Sequence, residues 1–355
     1  MTKRKAAILG SSGMIGQRFA HMLHDHPYFE VVAHCASDRS RGKTLAEIWK
    51  LSDIELNPEL AGQTIRGTAV EDLAREGVEV VFSGLPSGVA GDVEHGCAEE
   101  GMAVFSNASS HRTDPDTPIL IPEINHQHLS SVEIQRKRRK KAGFIVTNAN
   151  CSVTGLAVGL KPLIDAFGLH QFNVATYQAL SGAGYPGVPS VDTLSNILPH
   201  IVNEEEKMNS EGRKILGGFE QGQFVDSPVN ILASCTRVNV RDGHLEAVFA
   251  NKPDMPDKES IVSVLDGFSS RPQELSLPSA PEKPVIVRPE PDRPQPLLDS
   301  LAGSPKRARG MAVTVGRIRT SADSLRFFLL VHNTIRGGAG GSVLNAELAH
   351  REGVL

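Results

Sequence analysis

A chain of 355 residues is long enough for two domains, each with its own core. With 40% hydrophobic and 22% charged residues it has an ordinary globular composition, and a net charge of -4 provides no field to attract nucleic acid or an anionic membrane. The four cysteines lie far apart with no C-x-x-C pair, which excludes a zinc framework and a disulfide scaffold, so no metal is expected.

The start, MTKRKAAILG, is basic but lacks the apolar core and cleavage site of a leader, and no run of about 18 apolar residues exists to span a bilayer. The expectation is a cytoplasmic chain. Lys5–Leu9 reads as a short strand running into GSSGMIGQRFAHML. Gly10, Gly13 and Gly16 form a glycine turn, and Ile15, Phe19 and Leu23 continue it as an amphipathic helix. Such a turn lets backbone N–H groups approach a pyrophosphate, with Ser12, Met14 and Ile15 beside it. The spacing departs from the usual G-x-G-x-x-G, and a tight strand–helix turn without a ligand is the plainer alternative. A second strand, Phe29–Ala36, ends in SDRSRGK. There Asp38 suits a ribose hydroxyl, whereas Ser37, Arg39, Ser40 and Lys43 suit a 2′-phosphate. Two cations and two hydroxyls against one carboxylate favour NADP over NAD.

Val78–Ser83 is a third strand, turning at Gly84–Gly88 into a helix over Val89–Glu100, with another strand at Ala103–Ser106. This alternation predicts a doubly wound parallel sheet of Rossmann type, and ligands bind at the carboxyl ends of its strands, where Ser83, Pro86 and Ser87 lie. Arg112 follows in a polar loop, placed either to hold an anion or simply at the surface. The basic run Gln135–Lys141 is short and next to Glu133, so a solvated helix end is preferred to a nucleic-acid patch.

Phe144-Ile145-Val146 is a buried strand, and Leu156, Val158, Leu160, Leu163 and Ile164 mark a well-buried helix. Asn148, Asn150 and Ser152 between them supply capping side chains, which puts Cys151 at the helix start. Free N–H groups and the dipole there are expected to lower the thiol pKa and make Cys151 a nucleophile, against the common alternative of a small buried hydrophobe.

In the second half, Phe172–Leu180 is a strand with Gln178 near its end, followed by SGAGYPG. SVDTLSNILPHI and NEEEKMNSEGRKIL read as helices, the second with Glu204 and Lys207 on one face. Asp242-Gly243 between two β-rich runs predicts a hairpin that pairs Arg241 with His244 and sets Arg237 on their face. Residues 271–310 are proline-rich and read as a long draped loop or a mobile arm. Two strands, Met311–Arg319 and Leu325–Val331, precede Gly337–Gly341, a second glycine-rich helix start able to return to a cofactor.

GSSGMIGQ, SNASSHRTDP with IPEIN, TNANCS, TYQALSGAGYPG, NEEEK, CTRVNVRDGH and NTIRGGAGG together resemble the aspartate-β-semialdehyde dehydrogenase family over nearly the whole chain. The RPQP loop resembles its archaeal and fungal branch. Ala149 and Asn239 stand where that family usually has proline.

The resemblance implies an α/β fold: a Rossmann-type doubly wound parallel sheet from residues 1–150 with 337–355, and an α/β catalytic and dimerisation domain from 151–336. It implies Cys151 as nucleophile, His244 as general acid/base and Gln178 as the group orienting the acyl intermediate. Arg237 and Glu204 would bind the substrate's carboxylate and amino group, Arg112 and Lys207 its phosphate, with Asn150 bordering that site. Gly182, Asn333 and Gly338 join the cofactor residues. The implied activity is NADPH-dependent reduction of L-4-aspartyl phosphate to the semialdehyde through a cysteine thioester, in lysine, threonine and methionine biosynthesis, by a homodimer or homotetramer. Two alternatives are carried forward. One is a malonyl-CoA reductase with the same chemistry, disfavoured by Glu204 because that substrate has no amino group. The other is a nucleotide-binding protein without catalysis.

Overall fold

The computed structural model describes residues 2–355. The first half builds β1 (Arg4–Leu9), α1 (Met14–Leu23), β2 (Phe29–Cys35), β3 (Ile65–Arg66), β4 (Val80–Ser83), α2 (Ser87–Glu99), β5 (Ala103–Ser106), β6 (Ile119–Leu120), α3 (Val132–Arg139) and β7 (Phe144–Asn148). The strands form one parallel sheet in the order β3-β2-β1-β4-β5-β7-β6. The runs VVFS, AVFS and FIVTN are buried throughout, as expected for strands covered on both faces.

On one face Phe29, Phe82, Phe105 and Phe144, from four strands, form an aromatic row at 5.4 to 6.1 Å between neighbouring centroids. The closing helix α7 (Gly340–Arg351) joins this core through Val343, Leu344 and Leu348. The last helix therefore returns to the first sheet.

The chain leaves β7 into α4 (Cys151–Phe167), then builds β8 (Gln171–Gln178), α5 (Glu204–Ile215), β9 (Asn230–Arg237), β10 (His244–Asn251), α6 (Lys258–Asp266), β11 (Val285–Arg288), β12 (Val313–Thr320) and β13 (Ser324–Val331). These strands form a mixed sheet in the order β9-β8-β10-β13-β12-β11. Leu156, Leu160 and Leu163 of α4 pack with Phe172, Val248, Phe327 and Leu329 in the second core. Gly155 lets α4 approach closely, since a Cβ there would lie 2.6 Å from Val331 Cγ1.

Three expectations are corrected. Asp242-Gly243 does not close a hairpin: β8 lies between β9 and β10, parallel to one and antiparallel to the other. Arg241 accordingly leaves the predicted face and pairs with Asp53 and Asp242. SVDTLSNILPHI supplies only one helical turn, Ser190–Thr193. The proline-rich stretch is neither structureless nor an arm. It contributes β11, sends Leu277, Ala280 and Ala308 into the first core, and is pinned by buried Asp299, which binds Arg288, Arg293 and the Gln295 N–H. The basic run does close α3 as a solvated helix end, with Lys137, Arg138, Lys140 and Lys141 exposed, and it is anchored on its inner side. Gln135 is fully buried on backbone groups of Asp116 and Ile145, and Arg138 and Arg139 pair with Asp116 and Glu99.

Candidate active site

Between the two sheets lies a cavity of about 800 Å³. Its floor is the turn after β1. Gly10 has φ +80°, and a Cβ on it would lie 2.6 Å from the Gly84 carbonyl oxygen, so the close approach of the two strand ends requires glycine. Gly13 caps α1 without any side-chain hydrogen bond, which leaves first-turn N–H groups for an anion. Gly10, Ser12, Gly13, Met14 and Ile15 line the cavity, as do Ser37 and Arg39 at the end of β2 and Pro86 at the start of α2. Thr68, not anticipated from the sequence, lines it beside them.

Ser40 and Lys43 lie farther along the turn and outside the lining. Ser83 is fully buried beneath it, and the Ser87 hydroxyl is engaged by Ser109. The glycine cradle, free helix N–H groups and cationic end fit a dinucleotide.

The same cavity reaches Cys151, which opens α4. Asn150 is the N-cap, its Oδ1 accepting from the N–H groups of Ser152 and Val153 at 2.9 and 3.2 Å. Cys151 Sγ lies 3.1 Å from His244 Nε2. Gln178, Arg237 and His244 meet through β8, since Arg237 stands opposite Gln178 in the β9–β8 register and β10 starts on the other side of β8. Arg237 Nη1 donates to the Ala179 carbonyl at 2.8 Å, and the Ala179 N–H donates to His244 Nδ1 at 3.0 Å. Gly182 covers both groups: a Cβ there would lie 2.8 Å from Arg237 Nη1 and 3.2 Å from His244 Nε2.

Glu204 is buried and accepts from Asn150 Nδ2 and Gln178 Nε2, each at 3.0 Å. Arg112 lines the cavity and donates to the Asn107 carbonyl at 3.0 Å and to Glu211 at 2.9 Å. Lys207 is half-buried on α5, outside the cavity lining. Glu211 went unnoticed in the sequence. Its second oxygen accepts the Asn150 N–H at 2.8 Å, so it ties the arginine to the cap of α4. Its position seven residues after Glu204 on one helix was the available signal.

From the last glycine-rich segment, a Cβ on Gly337 would lie 2.7 Å from Cys151 Cβ, and Gly338 packs on Ile15. Asn333 accepts the Gly243 N–H and donates to Ser181. That segment therefore touches Cys151, the glycine turn after β1 and the loop before His244.

The electrostatics correct one expectation. Burial, with Glu204 adding to it, pushes the Cys151 thiol up to about 12, although Arg237, Arg112 and the Ser152 N–H act in the opposite direction. The helix start does not outweigh desolvation in the resting site. Burial likewise lowers His244 well below its ordinary range, with Arg237 and His332 opposing its charge. Glu246, two residues along β10, is completely buried with neither oxygen partnered, and burial raises it far above the usual carboxyl range.

The fold and site define a two-sheet α/β protein whose dinucleotide-sized cavity reaches a cysteine–histidine pair. Residues 5–132 match the model of the semialdehyde dehydrogenase NAD binding domain, and residues 160–336 match that of the semialdehyde dehydrogenase dimerisation domain. The chain is 46% identical over 346 residues to the aspartate-semialdehyde dehydrogenase of Methanothermobacter thermautotrophicus, covering 96% of this chain and 97% of that one. It is 38% identical over 357 residues to the malonyl CoA reductase (NADP) of Metallosphaera sedula, covering 99% and 98%. The crystal structure of aspartate semialdehyde dehydrogenase with NADP from Candida albicans superposes with a TM-score of 0.88 at 37% identity, covering 99% of this chain and 100% of that one. The chain belongs to the semialdehyde dehydrogenase family.

Proposed function

We propose that this protein is an NADP-dependent aspartate-semialdehyde dehydrogenase that reduces L-4-aspartyl phosphate to L-aspartate 4-semialdehyde. The observation that carries this reading is the Cys151–His244 pair at 3.1 Å, opening on the cavity that the glycine turn of α1 lines. Cys151 attacks the acyl carbon, phosphate leaves, and a thioester remains. The bound dinucleotide supplies the hydride. Arg237 holds the substrate carboxylate and Glu204 its ammonium, while Arg112 at the cavity wall faces the phosphate, Lys207 on α5 adds positive charge from outside the lining, and Gln178 orients the acyl group. Glu204, kept in place by Asn150 and Gln178, favours an amino-acid substrate over malonyl-CoA.

The cofactor unit consists of residues 1–150 with 337–355 and the catalytic unit of 151–336. Tyr177, Leu232 and Phe249 are exposed on the outer face of the second sheet, which suits assembly of a homodimer or homotetramer through that face. Light scattering showing a monomer in solution would contradict that assembly. No helix among the described residues is long and apolar enough to cross a membrane, and cytoplasmic location accords with a reduced nucleophile. The test of function is the reverse assay with aspartate semialdehyde, phosphate and NADP. Rapid NADPH formation is expected. Faster turnover with malonyl-CoA than with any aspartate derivative would overturn the substrate assignment.

A further inference from the structure

The helix α5 reads EEEKMNSEGRKI, in which Glu204, Lys207, Glu211 and Lys214 recur at spacings of three and four and so share one face. Two carboxylates on that face are buried, against the general rule for glutamate. Glu204 is occupied by Asn150 and Gln178. Glu211 divides its carboxylate. One oxygen accepts from Arg112 Nη1 at 2.9 Å, and the other accepts the Asn150 N–H at 2.8 Å. The side chains of Arg112 and Glu211 are only 10% and 7% exposed, so solvent screens this ion pair little.

We infer that Glu211 sets the affinity of the phosphate subsite: its charge offsets that of Arg112, so that an oxyanion is held weakly enough to leave after each turnover. The inference rests on the reading of Arg112 as the group that faces phosphate. Glu211 is outside the cavity lining and acts through Arg112, as a positioning residue.

The carboxylate has two opposing effects on an anion. It holds the guanidinium in place, which favours binding, and it repels the anion, which weakens binding. The first effect is small, because Arg112 has other supports. Its Nη2 donates to the Asn107 carbonyl at 3.0 Å. Lys214 Nζ donates to the carbonyls of Arg112 and Thr117 at 2.8 and 2.9 Å, which fixes the backbone of that loop. Losing one restraint among several on a buried arginine weakens anion binding by at most roughly tenfold. The second effect is larger. An anion on the free edge of a guanidinium lies on the order of 6 Å from a carboxylate paired with the other edge, where one pair of like charges at an effective dielectric of about 20 changes binding by roughly 100-fold. Repulsion therefore prevails. The arginine keeps capacity for an oxyanion, since its Nε–H is buried with no acceptor among the described residues. In the reductive direction phosphate is a product, and a bare buried guanidinium would retain it.

Calorimetric titration of inorganic phosphate into NADP-saturated protein tests this, the dinucleotide filling the glycine turn that would otherwise compete for the anion. Glu211→Gln keeps an oxygen for the Asn150 N–H and removes the charge, so phosphate should bind about tenfold tighter. Glu211→Ala should tighten it similarly, and is read in the same way where the glutamine variant does not fold. Glu211→Asp keeps the charge and should stay within about threefold of the parent, as should Glu206→Gln, which makes the same charge change at an exposed position of α5. In the reverse assay Glu211→Gln should lower the KM for phosphate about tenfold and leave that for aspartate semialdehyde unchanged. Disrupted packing weakens binding and cannot tighten it, so a structural defect does not imitate this result. Binding that depends on Arg112, but is unchanged or weaker when the Glu211 charge is removed, would overturn the inference alone. Binding equally tight in Arg112→Ala would remove the subsite and the inference with it.

Discussion

Cys151 combines a helix start, which favours a thiolate, with a half-buried setting at the cavity wall beside Glu204, and desolvation pushes the resting thiol up. With its thiol at about 12, alkylation of Cys151 by iodoacetamide should be slow at pH 7 and should rise about tenfold per pH unit through pH 9. A rate that levels off near neutrality would contradict this. Reading the residues by type found Cys151, His244, Gln178, Arg237 and Glu204, and all five converge. It missed the Ala179 amide and Glu211, because a backbone donor has no sequence signature and a surface-type glutamate on a charged helix looks ordinary. The sign of the thiol shift was equally illegible, since it depends on desolvation and on Glu204, which lies more than fifty residues away in sequence.

Among the elements, the glycine-rich approach to α7 controls the nucleophile most directly. A methyl group at Gly337 has its nearest contacts with Cys151 Cβ and Cα, at 2.7 and 2.8 Å, and backbone cannot yield as a long side chain can. Gly337→Ala should therefore lower kcat by at least about tenfold, the effect expected of a displacement below 1 Å at the reacting atom, while the protein remains folded. Unchanged kcat would mean that α4 shifts freely. At the turn after β2, Arg39 lines the cavity with Ser37 and Thr68. Replacing it with alanine should weaken NADP binding by roughly 10–100-fold, a charge-assisted hydrogen bond's worth, and leave NAD nearly unaffected. Equal losses, measured by fluorescence titration, would show that Arg39 does not read the 2′-phosphate.

Local pattern gave β1, β2, β4, β5, β7, α1 and α4 with little error, because each is a short buried run or an apolar stripe next to a glycine or a cap, whereas β3 and β6, of two residues each, offered no run to read. The supposed hairpin failed for a nonlocal reason: β8, some sixty residues earlier, inserts between the two runs. Arg237 and His244 still meet, through β8 instead of across a turn.

At the scale of the whole molecule, buried imidazoles set the acid limit of stability. Burial lowers His34 and His128 to about 4 and His332 to about 3, and puts His244 well below its ordinary value. Each is neutral in the native state, so below pH 6.5 the unfolded chain takes up protons that the native chain does not. Stability from these groups is complete above 6.5 and is lost as pH falls toward 4 and 3, on the order of 3 kcal/mol for each shift of two to three units. Glu94 and Glu246 act in reverse, since their raised values cost stability above about pH 4.5. Urea midpoints should therefore fall steeply between pH 6.5 and 4, with the four imidazoles outweighing the two acids, and a flat profile there would contradict the burial. A doubly wound parallel sheet was foreseeable from the order of motifs, and the second α/β unit and the returning C-terminal helix from the family resemblance. The packing of residues 277–311 into both halves was not, because its apolar residues are scattered among prolines.

The account stands on a covalent acyl–Cys151 intermediate formed in the cavity shared with the dinucleotide. Mixing the protein with aspartate semialdehyde and NADP without phosphate, and following NADPH by stopped flow, tests it directly. The account predicts a burst of about one NADPH per active site and, after acid quench, an acyl group on Cys151 that hydroxylamine removes. Normal turnover with phosphate but no burst and no adduct would contradict it.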